Sequence, residues 1–335
     1  MSKSTTDTIP ESLDHLEYPS KTMFQMVEHI TGVYPDEPAY EFYGIKTSYR
    51  RFVDLILCAA RAFTALGIRR DDRVTICLPN IPQALIAFYG LNRIGAVANM
   101  VHPLSAKTEI TYYLKVSQSR AVVTADLFYD KVREAADSPD LKDSASDVQY
   151  PAGCSAPLII TARMQEELPP HLALLYTLKK GREYLKYPKT PDLSWKKFMH
   201  MGRAGKDSLS LPEPVFDKGH TAVILYSGGT SGVPKGICLS DLNFNACAMQ
   251  VRNAIGMEFR NGLTMLSCMP CFHGFGLGIN LHTVLCYGAG CILMPTFNSR
   301  SYAQMLLKKH PSFIAGVPTI FEALLHLPEL EKADL

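Results

Sequence analysis

Apolar and polar positions along this chain alternate between two periods, and the alternation predicts its elements. After a polar stretch at residues 1–20, Thr22-x-x-Gln25 has the form of a capping box and predicts a short helix ending near Gly32. Two prolines mark 35–38 as a loop. Runs at 39–43 and 46–49 flank Gly44 as a hairpin, and 51–66 carries apolar residues at helical spacing with Gly67 behind them as a stop. A buried strand at 73–78, a helix at 82–94, a strand at 96–101, a helix at 106–116 and a strand at 121–124 follow. Strands alternating with helices predict an α/β fold, a doubly wound parallel sheet with helices on both faces.

Residues 137–216 interrupt the alternation with prolines and small polar residues, leaving a strand at 158–161 and a helix at 171–185. It then resumes: apolar runs at 222–225 and 237–239, a helix from 240 to about 255, strands at 263–266 and 291–294, a helix at 302–310, a strand at 313–317 and a helix from 319. The pattern divides the chain into a polar tail (1–20), a first α/β subdomain (21–136), a proline-rich and basic connecting insert (137–216) and a second α/β subdomain (217–335), incomplete at its end.

Composition narrows the class. A hydrophobic fraction of 47% and a charged fraction of 20% fit a globular protein with one large or two ordinary domains. A net charge of +2 gives no reason to expect nucleic acid as a partner. With no run of roughly 18 apolar residues and no apolar leader region, the default location is cytoplasmic. Charge is nonetheless uneven: residues 179–206 hold nine Lys/Arg against Glu183 and Asp192, a local +7 that leaves the remainder at −5. A solvated connector is the preferred reading, with a basic helix touching anionic lipid or CoA phosphates as the alternative.

Nine cysteines, mostly inside apolar runs, read as buried reduced thiols. Cys268-Met-Pro-Cys271 has redox spacing, and with Cys286 and Cys291 it imitates a zinc ribbon. Because Cys268 and Cys291 abut apolar strand-like runs, the small-hydrophobe reading is preferred and no metal ligand is assigned.

The densest chemistry lies at 226–236, Y-S-G-G-T-S-G-V-P-K-G, between two apolar runs. Its glycines free backbone N–H groups for a ligand, Ser227, Thr230 and Ser231 add donors, and Lys235 adds a compact cation, which together suit a polyphosphate. A plain hairpin turn needs two residues and no lysine. A Walker A loop is excluded, since Pro234-Lys235-Gly236 leads into a strand-like run rather than a helix.

This stretch resembles the phosphate-loop signature of the adenylate-forming (AMP-binding) superfamily, Y/F-T-S-G-S/T-T-G-x-P-K-G. It matches at Tyr226, Gly229, Thr230, Gly232, Pro234, Lys235 and Gly236, with serine for threonine at Ser227 and Ser231 and with Gly228 where serine is usual. Residues 67–80 resemble the superfamily's G-V-x-x-G-D-R-V-A-I-x-L-P-N stretch, and 91–103 its L-x-x-G-A-V-x-x-P-x-x-P segment; both are taken as fold-building. Met269-Pro270-Cys271-Phe272-His273-Gly274-Phe275-Gly276 resembles its P-x-F-H-x-x-G segment, and Gly316-Val317-Pro318-Thr319 its G-V-P-T/S run. At Leu239-Ser240-Asp241-Leu242-Asn243 the usual histidine is replaced by Asp241, well placed to cap a helix N-terminus.

The resemblance, strongest to fatty acyl-CoA synthetases, implies ATP-dependent carboxylate activation to an acyl-adenylate, then thioester formation with CoA, with Mg2+ accompanying ATP. Loading of a carrier protein is the alternative. It implies phosphate binding by Ser227, Gly228, Gly229, Thr230, Ser231, Gly232, Lys235 and Gly236, with Lys235 and Thr230 acting electrostatically on the leaving pyrophosphate. It assigns Phe272, His273, Phe275, Gly276, Gly316, Val317 and Pro318 to a carboxylate substrate, of the fatty-acid class in that family. The superfamily's later segments, for adenine, ribose, magnesium and the adenylation lysine, do not occur here. The chain therefore reads as the first part of a longer enzyme, inactive alone, with residues 228–234 expected to be mobile without nucleotide.

Overall fold

Two sheets organise the chain, and each takes strands from both sides of the 137–216 stretch. In the computed structural model, which describes residues 16–142, 148–151, 154–184, 192–228, 233–254, 260–331 and 333, the smaller sheet contains β1 (Pro38–Phe42), β2 (Ile45–Ser48), β10 (Thr264–Ser267), β11 (Gly290–Leu293) and β12 (Phe313–Ile314). Their order is β12-β10-β11-β1-β2. The larger contains β3 (Arg73–Cys77), β4 (Val97–Met100), β5 (Ala121–Ala125), β6 (Leu158–Ala162), β7 (Leu193–Ser194), β8 (Thr221–Ser227) and β9 (Lys235–Ser240), ordered β7-β6-β5-β3-β4-β8-β9. Every pairing is parallel except the hairpins β1–β2 and β8–β9. This is the doubly wound α/β arrangement that the alternating pattern predicts.

The helices are α1 (Met23–Val33), α2 (Tyr49–Ala65), α3 (Pro82–Arg93), α4 (Lys107–Ser117), α5 (Tyr129–Ala136), α6 (Pro139–Lys142), α7 (Pro170–Tyr184), α8 (Trp195–Ala204), α9 (Asp241–Ala254), α10 (Val284–Cys286), α11 (Ser299–Lys309) and α12 (Pro318–Leu325); a π-helical segment, Gly276–Thr283, runs into α10. Three buried clusters show the layering. The main one joins inner faces of both sheets through α1, α2, α3 and the π segment; a second packs α4 and α5 on the outer face of the larger sheet; a third packs α11 and α12 on the outer face of the smaller.

Helix starts follow their side chains. Thr22 and Gln25 form the capping box of α1, Ser48 accepts from Arg51 N, and Ser194 accepts from Lys197 N. The sequence pattern misses β7, α5 and α8. Helix α8 lies in the basic stretch, yet Trp195, Phe198, Met199 and Gly202 are buried at i, i+3, i+4 and i+7. It packs on α2 so closely that a Cβ on Gly202 would lie 1.9 Å from Cys58 O, and Arg61 Nε donates to Gly202 O at 3.1 Å. This part of the stretch is therefore a packed helix rather than a solvated connector. Strand β12 is shorter than the predicted 313–317, because Pro318 opens α12 and the preceding residues leave the ladder.

Candidate active site

Five segments at the C-terminal ends of parallel strands converge: 78–80 after β3, 101–103 after β4, the end of β8, 268–276 after β10, and 315–318 after β12. In α/β sheets this is the end where ligands bind. Asn80 ties two of the segments, its Nδ2 donating to Met269 O at 2.8 Å while its Oδ1 accepts from Cys271 N at 2.7 Å. Asn280 ties 268–276 to a third, accepting from Met269 N at 3.3 Å and donating to Ala315 O at 3.4 Å. Leu225, near the end of β8, lies 3.5 Å from where a Cβ on Gly274 would be.

The described residues of the 226–236 motif lie at the facing ends of β8 and β9. Ser227 pairs with Lys235 and Tyr226 with Gly236, so the last rungs of the ladder hold the first hydroxyl and the lysine side by side. Ser227, Gly228, Lys235 and Gly236 are exposed; Gly229, Thr230, Ser231 and Gly232, and with them the mobility expected of the loop, lie outside the described residues. The hairpin base is held firmly. Tyr226 OH donates to Asn99 Oδ1 at 2.9 Å and its ring lies 4.1 Å from that of Tyr113, while Tyr112 OH donates to Pro234 O at 3.0 Å. Burial pushes the Tyr226 phenol up, so it remains a neutral donor. Gly236 has a local reason as well: a Cβ there would crowd Tyr226 Cε1 at 3.3 Å.

Across the cleft, Phe272 is buried with its ring 4.4 Å from His102 and 5.0 Å from the exposed His273. Partial desolvation lowers the His273 imidazole below its ordinary range; at His102 desolvation comes first, followed by His273 and Lys131. Both rings are therefore neutral at pH 7, able to donate or accept one hydrogen bond rather than act as cations. His102 was missed in the sequence, where 91–103 is assigned to the fold alone. The available signal was a histidine directly after an apolar strand and before a proline.

Phe275 is 41% exposed at the mouth. Gly276 is buried, and a Cβ there would meet Pro270 O at 2.1 Å and Met269 O at 2.5 Å, which gives this glycine a packing reason: it lets the π segment close on the turn before it. Gly316 is half-buried against Ile320, with Val317 and Pro318 exposed beside it. The large cavity of about 760 Å³ near Arg69, Asp72, Arg120 and Tyr150 opens at the opposite, N-terminal ends of β3, β5 and β6, away from these residues.

One reading changes. Asp241 does not serve its own helix; its Oδ1 accepts from Met23 N at 2.9 Å and Asn92 Nδ2 at 2.7 Å, at the start of α1, while Ser240 and Asn243 cap α9 reciprocally. All nine cysteines are free, and burial pushes the thiols of Cys268 and Cys271 up to about 11 and about 12. That is opposite to the shift a reactive thiol needs. Among the described residues no group of three or more His, Cys, Asp or Glu could hold a metal ion.

Residues 27–335 match the family described as AMP-binding enzyme. Among curated proteins, a long-chain-fatty-acid–CoA ligase of Bacillus subtilis (strain 168) is 28% identical over 330 residues, covering 97% of this chain and 56% of the relative. One from Escherichia coli O157:H7 is 27% identical over 338 residues, covering 97% and 55%. The chain spans about half the length of the curated relatives it matches. Among solved structures, the anthranilate CoA ligase AuaEII in complex with anthranoyl-AMP is similar with a TM-score of 0.73 at 19% identity, over 97% of this chain and 54% of that one. At such identity the likeness shows the fold.

Proposed function

This chain belongs to the AMP-binding enzyme family, and from that membership we propose that it supplies the phosphate-holding and carboxylate-facing part of a site that activates a carboxylic acid with ATP. A carboxylate oxygen attacks the α-phosphorus, the α–β phosphoanhydride bond breaks, and acyl-adenylate and pyrophosphate form. A CoA thiol then attacks the acyl carbon, and AMP leaves with the bonding pair. CoA is the favoured acceptor because the relatives above are named CoA ligases, and a fatty acid is the favoured substrate because the two curated relatives are named long-chain-fatty-acid–CoA ligases. The assignment concerns the whole enzyme; for this stretch alone the role is ligand binding.

The observation that carries the reading is the exposed Ser227 and Lys235 pair, side by side on a hairpin anchored at the C-terminal ends of the parallel strands. Lys235 would meet the β- and γ-phosphates as a point charge, with Ser227, Thr230, Ser231 and the loop N–H groups as donors. Charge accumulates on the departing pyrophosphate, so these groups accelerate the step by electrostatic stabilisation and take no proton. His273, neutral and next to Phe272, would orient the carboxylate by one hydrogen bond, with His102 packed behind that pair. Magnesium, implied alongside ATP, finds no ligand cluster among the described residues, and the roles above belong to the chain's own side chains.

The test is carboxylate-dependent exchange of pyrophosphate into ATP, measured with a panel of fatty and aromatic acids on the whole enzyme. Lys235→Ala is expected to depress exchange at least tenfold, the loss of one charge-assisted contact of about 1.5–3 kcal/mol. Unchanged exchange would remove the role, and preference for aromatic acids would replace the fatty-acid assignment.

A further inference from the structure

We propose that Asn280 is a positioning residue that holds open the cleft between β10 and β12, and so sets the room left for the acyl group of the substrate. The inference rests on the carboxylate-activating reaction proposed for this site and adds to it a residue outside every motif that marks the site. Pairing between the two strands ends at Leu266 and Ile314. Beyond that rung, no backbone hydrogen bond joins 268–276 to 315–318 among the described residues. The Asn280 side chain stands there instead, its Oδ1 accepting from Met269 N and its Nδ2 donating to Ala315 O. A further rung would draw the strands to the ordinary spacing of about 4.8 Å. Two hydrogen bonds in series, with an amide between them, let the segments diverge while Met269 N and Ala315 O stay paired.

The wedge has a fixed seat. Asn280 is fully buried on the π-helical segment, and its own carbonyl accepts from Ser267 Oγ at 2.7 Å, so β10 holds the backbone that carries it. Short π-helical stretches recur at functional sites. The close approach of Gly276 to Pro270 O brings this segment against the turn it braces, and Asn80, also buried, holds the other side of that turn through Met269 O and Cys271 N. His273 follows directly, its N donating to Pro270 O at 3.0 Å. One wall of the cleft thus carries His273 and the exposed Phe275, and the other carries Gly316 and the exposed Val317. Asn280 reaches both walls through their backbones, and among the described residues it makes no hydrogen bond to the 226–236 motif. Its loss should therefore disturb the acid and spare the polyphosphate.

The experiment is carboxylate-dependent exchange of pyrophosphate into ATP by the whole enzyme, with straight-chain acids of increasing length, in the parent, Asn280→Ala and Asn280→Ser. The serine variant keeps a hydroxyl that can satisfy one segment but cannot span both, and it carries the test if the alanine variant does not fold. Each variant is expected to raise KM for the longer acids roughly tenfold, the scale of one or two lost hydrogen bonds, and for acetate less, with KM for ATP and pyrophosphate within about twofold of the parent. An amide that merely holds the fold would lower the melting temperature and shift the KM values for acid and ATP together. Unchanged KM for every acid, or an equal rise for acids and ATP, would overturn the proposal. A parent enzyme without carboxylate-dependent exchange would instead remove the ligase assignment, and this inference with it, so the two failures are distinct.

Discussion

At the scale of single residues, Asp241 shows how a departure from a family pattern acquires a structural meaning. The N-terminus of α1 needs acceptors for its first N–H groups, and three side chains provide them: Asp241 for Met23 N, Asn92 Oδ1 for Phe24 N at 2.8 Å, and Thr22 Oγ1 for Gln25 N. Asp241 thus joins elements 218 residues apart. Burial raises its carboxyl above the usual range, and the hydrogen bonds from Met23 and Asn92 only partly offset this. Because the folded state binds that proton more tightly, this group's stability contribution is largest below the unfolded carboxylate range and is lost as pH rises through the raised value. Asp241→Asn keeps an oxygen acceptor and removes the charge, so its stability at pH 7 should equal or exceed the parent's. Asp241→Ala leaves two buried donors unpaired and should cost about 1–3 kcal/mol. Urea unfolding at pH 4 and pH 7 measures both; equal losses for Asn and Ala at pH 7 would refute the account. The sequence shows a carboxylate at a helix start, but not which helix it serves, because the recipient lies across the fold.

At the scale of elements, the helices between the sheets are joined by a buried polar chain. Tyr89 OH on α3 donates to His282 Nδ1 at 2.9 Å, His282 Nε2–H donates to Asn245 Oδ1 on α9 at 2.8 Å, and Asn245 Nδ2 donates to Lys21 O at 2.7 Å. Burial lowers the His282 imidazole to about 3, so it is neutral in the folded protein across the ordinary range. Its contribution is fully present above the unfolded histidine value near 6.5 and is lost as pH falls from there toward 3. The urea midpoint should therefore fall more steeply below pH 6.5 for the parent than for His282→Gln; parallel profiles would show that another group sets the acid limit. The histidine sits on the π-helical segment, whose register the sequence pattern did not show. Gly276–Thr283 is buried nearly all round, so no amphipathic period marks it, and Thr283 Oγ1 donates to Gly278 O five residues back at 2.8 Å. Helix α8 was missed for a different reason: Lys196, Lys197 and Arg203 made it read as part of the basic stretch, although Trp195, Phe198, Met199 and Gly202 form its buried stripe.

At the scale of the whole molecule, local pattern predicted the alternation of strands and helices but not the sheet each strand joins. Tyr40 pairs with Cys291 and Ala98 with Val223, partners more than a hundred residues apart that no local period can specify. The same limit divides the candidate site. Lys235, Ser227 and His273 were singled out from motif chemistry, while His102 and Asn80 matter only because parallel strands bring their C-terminal ends together. The central claim is that this stretch holds the polyphosphate end of ATP, and calorimetric titration of the chain with ATP tests it most directly, with pyrophosphate and AMP as competitors. The account predicts that ATP binds, that pyrophosphate competes and AMP does not, and that Lys235→Ala weakens binding roughly tenfold or more. Equal ATP affinity in the parent and Lys235→Ala, or displacement by AMP as effective as by pyrophosphate, would contradict it.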